Sequence, residues 1–395
     1  MFYALNVFVA LHFIIPVILF ILHWFLEKNP KKLLSKYKKV NDHTNDFAAI
    51  ITAHQDVRFI PPFVDSFLKQ DYDNFIVYVV ADDCDISDLK YNNEHIRILK
   101  PSVPFHSKVK SIKYAVSQFA RKHDALIIFD SDNLVHTNYL SLLNNYFQRG
   151  FKVVQANMLS KNLDSNFSKL DTLGHVYHNF LERQIKMEMG VTSAILGLGV
   201  AIDIDVYNEI MYTNELGGFD KKLQVQLSKK LPQIAYAKDV IVYDEKVDDG
   251  ASFEKQRTRW IFTYFEYFSD SISLFLKGIK TMHAGRLLLG FNMLRPPMFL
   301  TLGMALILMI ASYFLQPTLV IAWLIILGLF SINFLLIVAT QSQQKGILSA
   351  VVHLPYMIFK QIKSLLKIKQ AKKGFLKTEH RKIIYIEDLL KNELV

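Results

Sequence analysis

The segment DSDN places Asp130 and Asp132 directly after the apolar run ALIIF. Carboxylates at positions i and i+2 face the same side if the strand continues, and carboxylate oxygens are ligands that hard divalent cations prefer. Such a cation would neutralise a nucleotide diphosphate and make it a better leaving group. A solvated turn is the alternative, since chance produces many D-x-D sequences, but the position after a strand-length apolar run favours a metal site.

Three further charged residues, in two segments, are typical of a sheet edge that binds a phosphate or a nucleotide. Asp82 and Asp83 end the run FIVYVVADD, where one carboxylate can accept the imide hydrogen of uracil and the other can bind ribose. An Asx-type turn into the next segment is an equally good interpretation. Lys108 begins an amphipathic helix, where it would offset phosphate charge beside a helix N-terminus, although a solvated lysine is the simpler interpretation.

Asp220 is the candidate general base. It follows two glycines and precedes the helical run KKLQVQL, so it suits the N-cap of that helix and also proton removal from an acceptor hydroxyl. Upstream, Gly197 and Gly199 lie in a strand-like run, where small residues allow a ligand to approach the backbone closely.

The segment QRTRW adds an amide, a guanidinium and an indole. On a helix, Gln256, Arg259 and Trp260 fall at i, i+3 and i+4 and share one face. Arg259 could then meet a diphosphate, Gln256 could hydrogen-bond to either ligand, and Trp260 could stack on a sugar. Trp260 as a membrane-interface anchor is an equal alternative. Arg257 lies on another face, and we expect it to meet lipid headgroups.

The elements that must position these groups alternate in type. Strand-length apolar runs are separated by stretches of helical periodicity, which predicts βαβ units and a mostly parallel sheet, an α/β fold. The predicted strands are FAAIITA, FIVYVVA, HIRIL, ALIIF and FKVVQA, and the predicted helices are Arg58–Lys69, Lys108–Arg121 and Asn138–Gln148. Ligands bind outside the carboxyl ends of such strands, so the polar strand ends should surround one crevice.

Three long apolar runs predict membrane crossings: Leu5–Leu26, Met298–Leu315 and Leu319–Val338. Lysines crowd the C-terminal side of the first run, which predicts an uncleaved anchor with Met1 outside and the catalytic part in the cytoplasm. A cleaved signal peptide is the alternative for that run, and buried core helices are the alternative for all three. The apolar, then basic, segment after Gly346 predicts an interfacial helix rather than a fourth crossing.

Net charge and cysteine content limit the partners and the cysteine-based sites that this chain can have. The net charge is +10, but the lysines lie beside apolar segments, which favours anionic membrane lipids over nucleic acid as the partner. The single cysteine, Cys84, allows no intramolecular disulfide and no cysteine metal cluster.

Taken together, these motifs resemble the family 2 glycosyltransferases of the GT-A fold, specifically the membrane-anchored enzymes related to cellulose, chitin and hyaluronan synthases. The matching pieces occur in the family's order: TAHQD, ADDC, SKVKSIKYA, DSDN and QRTRW. The resemblance extends from about Asp46 to Trp260, and the trailing apolar segments extend it across most of the chain.

The resemblance implies an inverting sugar transfer from a nucleotide donor, usually a UDP-sugar, to the hydroxyl of a lipid-linked or polysaccharide acceptor. It implies the following roles: His54, Asp82, Asp83, Lys108 and Asp130 bind the nucleotide-sugar, Asp130 and Asp132 bind Mg²⁺ or Mn²⁺, Asp220 is the base, and Gln256, Arg259 and Trp260 line the acceptor and diphosphate. Three crossings are few for a polysaccharide channel, which favours a lipid-linked acceptor or partner subunits for export.

One departure from the family leaves a second function open. The family's base belongs to a Glu-Asp pair, and here Phe219 precedes Asp220, while Gln224 and Gln226 replace acidic residues. An alignment with Gln224 at the base position would predict an inactive, nucleotide-sugar-binding membrane scaffold. A transporter subunit is a third alternative, but it leaves the long α/β insert unexplained.

The predicted organisation has five parts. They are an anchor (1–27), a cytoplasmic GT-A domain (28–262), interfacial helices (263–295), a transmembrane hairpin (296–340), and an interfacial helix with a cytoplasmic tail (341–395).

Overall fold

A computed structural model describes residues 1–210, 218–373 and 380–393. The strands are β1 Phe47–His54, β2 Phe75–Asp82, β3 Ile96–Leu99, β4 Ala125–Asp130, β5 Leu134–Val135, β6 Val153–Ser160, β7 Val200–Asp203 and β8 Ala235–Asp244. The helices are α1 Phe2–His23, α2 Pro30–Ser35, α3 Ile60–Leu68, α4 Lys108–Ser117, α5 Tyr139–Phe147, α6 Asn166–Asn179, α7 Ile185–Glu188, α8 Ile204–Asn208, α9 Phe219–Lys230, α10 Gly250–Glu266, α11 Phe268–Lys280, α12 Ala284–Leu294, α13 Met298–Leu315, α14 Thr318–Gln341, α15 Leu354–Leu366, α16 Ile368–Lys373 and α17 Ile386–Glu393.

The chain divides into two compact units, each made of three segments. The sheet unit comprises Asn29–Leu163, Thr192–Val247 and Lys377–Val395. The helical unit comprises Met1–Lys28, Asp164–Val191 and Asp248–Leu376. Residues 164–191 and 248–262, which the sequence places in the catalytic domain, therefore cluster with the apolar helices, and the C-terminal segment clusters with the sheet.

The sheet unit contains the predicted α/β sheet. In the part of this unit that the structure describes, eight strands form one sheet in the order β3-β2-β1-β4-β7-β6-β8-β5. The five apolar runs form β1, β2, β3, β4 and β6, and β2 is buried along its whole length, as expected for a strand covered on both faces. The pairings among β1, β2, β3 and β4 are parallel, whereas β7 is antiparallel to both β4 and β6.

The register of the parallel strands aligns their carboxyl ends. His54 pairs with Asp82 across β1 and β2, and Thr52 pairs with Asp130 across β1 and β4. The predicted polar strand ends therefore lie at one edge of the sheet.

Among its described residues, the helical unit contains three helices that are long and apolar enough to cross a membrane, and they coincide with the three predicted runs. These helices are α1, α13 and α14. Contacts between α1 and α14 include a T-shaped pair of Phe13 and Phe330 rings and a hydrogen bond of 2.8 Å from Trp323 Nε1 to Asn6 Oδ1.

Residues 180–184 between α6 and α7 form a π-helical turn, Phe180–Gln184, a feature that often marks functional or strained positions. The buried carboxylate of Glu188 lies 2.6 Å from His23 Nδ1 and accepts a hydrogen bond of 3.0 Å from the side-chain amide of Gln184. Gln184 also donates to Gln341 at 2.8 Å, so this turn connects polar groups of α1, α7 and α14.

Glycines allow α11 and α12 to pack with backbones in contact. A β-carbon on Gly278 would lie 2.5 Å from the backbone nitrogen of Leu287, and one on Gly290 would lie 2.6 Å from the backbone of Phe275. A backbone atom cannot rotate away as a side chain can, so the two helices would have to separate.

We therefore predict that Gly278→Ala destabilises the full-length protein by about 1–3 kcal/mol through overpacking. Gly303→Ala is the matched control, because a β-carbon there meets no atom within 4 Å. Thermal unfolding in detergent should show a lower Tm for Gly278→Ala and an unchanged or higher Tm for Gly303→Ala. Equal Tm values would contradict the close helix contact.

The helical unit also buries a lysine. Lys186 is 0% exposed, and its Nζ has no hydrogen-bond partner among the described residues. Burial lowers the pKa of Lys186 from 10.5 to about 8, an effect that Glu182 opposes and Arg295 reinforces. The charged ammonium is therefore less stable in the folded state than in the unfolded state.

Lys186→Met should raise stability, by up to about 3 kcal/mol on the basis of this pKa difference. Below pH 8 Lys186 is charged in both the folded and the unfolded state, so folding bears the full free-energy cost of burying the ammonium. Between pH 8 and 10.5 the folded state loses its proton before the unfolded state does, so this cost disappears as the pH rises. Unfolding followed from pH 7 to 10.5 should show an advantage for Lys186→Met that shrinks with rising pH. The exposed Lys280→Met control should show no such pH dependence; a constant advantage for Lys186→Met would refute the ionisation argument.

Candidate active site

Lys108 connects the D-x-D motif to a glycine-containing segment. Ser107 caps α4 through its side chain, which fixes Lys108 as the first helical residue. Lys108 Nζ lies 2.5 Å from Asp130 Oδ1 and donates to the carbonyl of Gly197 at 2.8 Å. The ammonium also lies 5.3 Å from the ring centroid of Phe219. Lys108 is thus positioned at the predicted edge by three separate contacts.

The two D-x-D aspartates have different environments. β4 ends at Asp130, whose side chain is 42% exposed, whereas that of Asp132 is only 7% exposed. The chain turns after Asp130, and Asn133 holds the turn by accepting the Asp130 backbone N–H at 3.0 Å and donating to Asp244 at 3.0 Å. The aspartates therefore do not extend along a continuing strand, as the i, i+2 argument assumed.

Asp132 has the unsatisfied oxygen that a hard cation would use. Its buried Oδ2 has no hydrogen bond of acceptable geometry among the described residues, although His380 Nδ1 lies 3.2 Å away. His380 thus supplies a nearby cationic group but no well-aligned hydrogen bond to this oxygen, and a divalent cation would coordinate it directly. With the exposed carboxylate of Asp130 two residues away, the donor set fits Mg²⁺ or Mn²⁺.

Three cationic groups surround the buried acids at this edge. Lys161 Nζ donates to the backbone carbonyl of Asp132 at 2.9 Å, and Lys246 Nζ donates to Asp244 at 3.0 Å. Burial lowers the pKa of Lys161, partly offset by nearby carboxylates. For His380, burial alone would lower the pKa, but Asp132 and other carboxylates outweigh it and raise the pKa.

Asp82 and Asp83 are not equivalent. The carboxylate of Asp82 is buried and accepts the backbone N–H groups of Phe105 at 2.7 Å and His106 at 2.8 Å. Asp83 is exposed, adopts a positive φ of 55°, and accepts a hydrogen bond of 2.7 Å from Gln55. Asp82 positions the segment that leads into α4, while Asp83 presents a carboxylate to solvent.

Two buried glutamines hold the segment that contains Gly197. Gln155 Oε1 accepts the Leu196 N–H at 2.6 Å, and Gln224 Oε1 accepts the Ile195 N–H at 2.8 Å. Gly199 ends this segment with a φ of +61°, which residues with a side chain rarely adopt. A β-carbon there would also lie 2.9 Å from Val242 Cγ1, so both the backbone conformation and the available space favour glycine. Gln224 therefore has a structural partner in the core.

Asp220 lies beside the Gly197 segment, in the first turn of α9. Gly218, with a φ of 85°, occupies the N-cap position, so the interpretation of Asp220 as the N-cap is wrong. A β-carbon on Gly197 would lie 3.8 Å from Cβ of Asp220, and Gly197 accepts a hydrogen bond from Lys108. Gly217, the first of the two glycines, lies outside the described residues.

The QRTRW motif lies on α10 in the helical unit, so the helix that the shared-face argument assumed is present. Trp260 is 45% exposed, and Gln256 Oε1 is buried without a hydrogen-bond partner among the described residues. The expectation that Arg257 meets headgroups is wrong. Arg257 forms an ion pair with Asp171 and lies 4.1 Å from the ring centroid of Trp260, so it is held inside the unit.

Sequence reasoning missed four participants at the sheet edge. Asp244 is the last residue of β8 and Lys246 lies two residues beyond it, and the same strand-end rule that selected Asp130 could have identified both. Lys161 directly follows β6 and could have been found in the same way. His380 lies far along the chain from the D-x-D motif, and no motif or periodicity marks it.

Comparison with known proteins identifies the family. Residues 44–263 match the family described as "Glycosyltransferase like family 2". This match covers more than half of the chain, and the chain belongs to this family of glycosyltransferases. No curated protein matches the chain.

Solved structures agree with this fold. The mannosyltransferase PcManGT from Pyrobaculum calidifontis, in complex with GDP-Man and Mn²⁺, is similar over 94% of this chain and 100% of that chain, with 14% identity and a TM-score of 0.57. The 1–349 fragment of TarS from S. aureus is 16% identical over 83% of this chain and 91% of that chain, with a TM-score of 0.45. The family match and the fold shared with the mannosyltransferase confirm the GT-A fold expected from the motifs.

We predict a structural role for Gln224. Gln224→Met should lower the free energy of unfolding by about 1–3 kcal/mol, because the buried Ile195 N–H loses its acceptor. Chemical denaturation of the full-length protein would measure the loss. A variant that keeps its stability but loses all transfer activity would contradict this role and place Gln224 in the chemistry.

Proposed function

We propose that the chain transfers a sugar, with inversion, from a nucleoside-diphosphate sugar to a hydroxyl of a lipid-linked or polysaccharide acceptor at the cytoplasmic membrane face. The observation that carries the proposal is the placement of Lys108, Asp130 and Asp220 around Gly197, beside the unsatisfied carboxylate oxygen of Asp132. These are the groups that a metal-assisted displacement at a sugar phosphate requires.

The residues at the strand ends bind the donor. Lys108 offsets the diphosphate charge from the start of α4, and the exposed Asp83 contacts the base or ribose. Asp82 orients Phe105 and His106 through their amides. His54, at the end of β1, completes the nucleotide side. Asp130 and Asp132 would hold Mg²⁺ or Mn²⁺, which when bound neutralises the diphosphate as it becomes the leaving group.

Asp220 acts as the general base. Its carboxylate accepts the proton of the acceptor hydroxyl, whose oxygen forms a bond to the anomeric carbon as the bond to the diphosphate oxygen breaks. A single displacement inverts the anomeric configuration. Gln256, Arg259 and Trp260 are proposed to line the acceptor and diphosphate.

The membrane arrangement follows from charge and helix length. The three apolar helices cross the bilayer, and the lysines after α1 keep the sheet unit in the cytoplasm. A membrane-bound transferase suits a lipid-linked acceptor, with partner subunits exporting any polymer. Neither unit needs nucleic acid as a partner.

The donor is identified by a release assay on the full-length protein in isolated membranes. UDP-sugars and GDP-sugars are each supplied with Mn²⁺ or Mg²⁺ and lipid extract, and nucleoside diphosphate release is followed. One donor should give release, and Asp132→Asn and Asp220→Asn should each reduce it on the order of 10²-fold or more. Asp205→Asn, an exposed aspartate in α8, is the matched control and should retain full activity.

The alternative scaffold function predicts another pattern. Binding of a nucleotide-sugar without release, in the presence of lipid extract, would overturn the transferase proposal and favour a scaffold. Loss of release in Asp132→Asn but not in Asp220→Asn would retain the transferase and remove Asp220 as its base.

A further inference from the structure

Two imidazoles and a carboxylate meet beside the D-x-D motif without sharing its residues. They come from His54 at the end of β1, Asp82 at the end of β2, and His106 just before α4. One ligand atom from each lies within 4.8 Å of the others. His54 is partly exposed and His106 is exposed, so solutes can reach the group.

The hydrogen bonding of His54 leaves one ring nitrogen available. Its Nδ1 lies 3.2 Å from the backbone carbonyl of Asp82, which can only accept a hydrogen bond. This contact assigns the proton to Nδ1 and the lone pair to Nε2. Histidines that bind metals typically donate their second ring N–H to such an acceptor, which orients the ring.

The lone pair of His54 Nε2 faces the second imidazole, that of His106. This nitrogen lies 3.4 Å from Nδ1 of His106, which is long for a hydrogen bond between two rings. Two nitrogens bound to one tetrahedral Zn²⁺ at about 2.0–2.1 Å are separated by about 3.3–3.4 Å. The spacing of the rings is therefore that of a zinc ligand pair.

Asp82 supplies the third group from a fixed position. Its two oxygens each accept one backbone N–H, from Phe105 and His106, and a carboxylate has about four acceptor sites in all. Capacity for a cation therefore remains. Because the His106 amide is bound to this same carboxylate, Asp82 also holds one of the two imidazole ligands in place.

The backbone is strained where these ligands originate. His106 has a φ of 48°, Gln55 after His54 has a φ of 58°, and Asp83 after Asp82 has a φ of 55°. Residues other than glycine rarely adopt such φ values, and this strain tends to persist at ligand sites.

We propose that His54, Asp82 and His106 form a binding site for a transition-metal dication of the Zn²⁺ type, with a further coordination position open to solvent. Imidazole ligands select such ions, whereas the oxygen ligands of Asp130 and Asp132 suit Mg²⁺ or Mn²⁺. The site shares His54 and Asp82 with the nucleotide side of the proposed function, but Zn²⁺ binding itself does not require transferase activity.

The test is Zn²⁺ titration by calorimetry of the nucleotide-free, full-length protein in detergent, with Mg²⁺ in excess to occupy acidic sites. His54→Gln and His106→Asn should each weaken binding by at least about tenfold; asparagine is chosen at 106 because it tolerates a positive φ. Two controls should bind Zn²⁺ as the wild type does: Asp132→Asn, and His43→Asn, since His43 pairs with Asp124 before β4 begins.

X-ray absorption of the zinc-loaded wild type gives a readout that does not depend on how the variants fold. Two imidazole nitrogens in the zinc shell are expected. The proposal fails if the wild type does not bind Zn²⁺, if the shell contains no imidazole, or if Asp132→Asn loses binding while both histidine variants keep it.

Discussion

Charge compensation at one edge of the sheet is the constraint on which the site depends. Parallel strands bring their carboxyl ends together, and here those ends carry several acids within a largely buried environment. Repulsion among them would oppose folding unless cations enter the same region. The chain supplies these cations from separate elements: Lys108 from α4, Lys161 after β6 and Lys246 after β8. A bound metal ion and diphosphate would therefore replace some of the existing contacts between these lysines and carboxylates, without adding a large uncompensated charge.

The strands and the apolar helices were predictable because each depends on local chemistry. A strand buried on both faces must be apolar almost throughout, and a helix that crosses a membrane must be apolar for about 20 residues. In both kinds of element the apolar surroundings constrain a run of consecutive residues, so the hydrophobic pattern of the sequence reveals the element directly.

The remaining features depend on contacts between distant residues, which no local pattern records. Asp171 lies 86 residues before Arg257 in the chain, yet the two side chains form an ion pair. His380 approaches Asp132 from the far end of the chain. Gln224 could be aligned with a catalytic acid, and only its hydrogen bond to the Ile195 amide identifies it as a core acceptor. Residue type alone did not distinguish these partners.

The division of the chain into alternating segments has a consequence for its biosynthesis. The polypeptide passes between the two units at five points, and the sheet unit receives its last segment, from Lys377 onward, after all the apolar helices have been made. The sheet unit therefore cannot be complete until the apolar helices have been synthesised, although all of its strands precede Val247. A water-soluble fragment ending at Val247 would lack α17, and its Asp164–Val191 segment would be left without the helices it normally packs with.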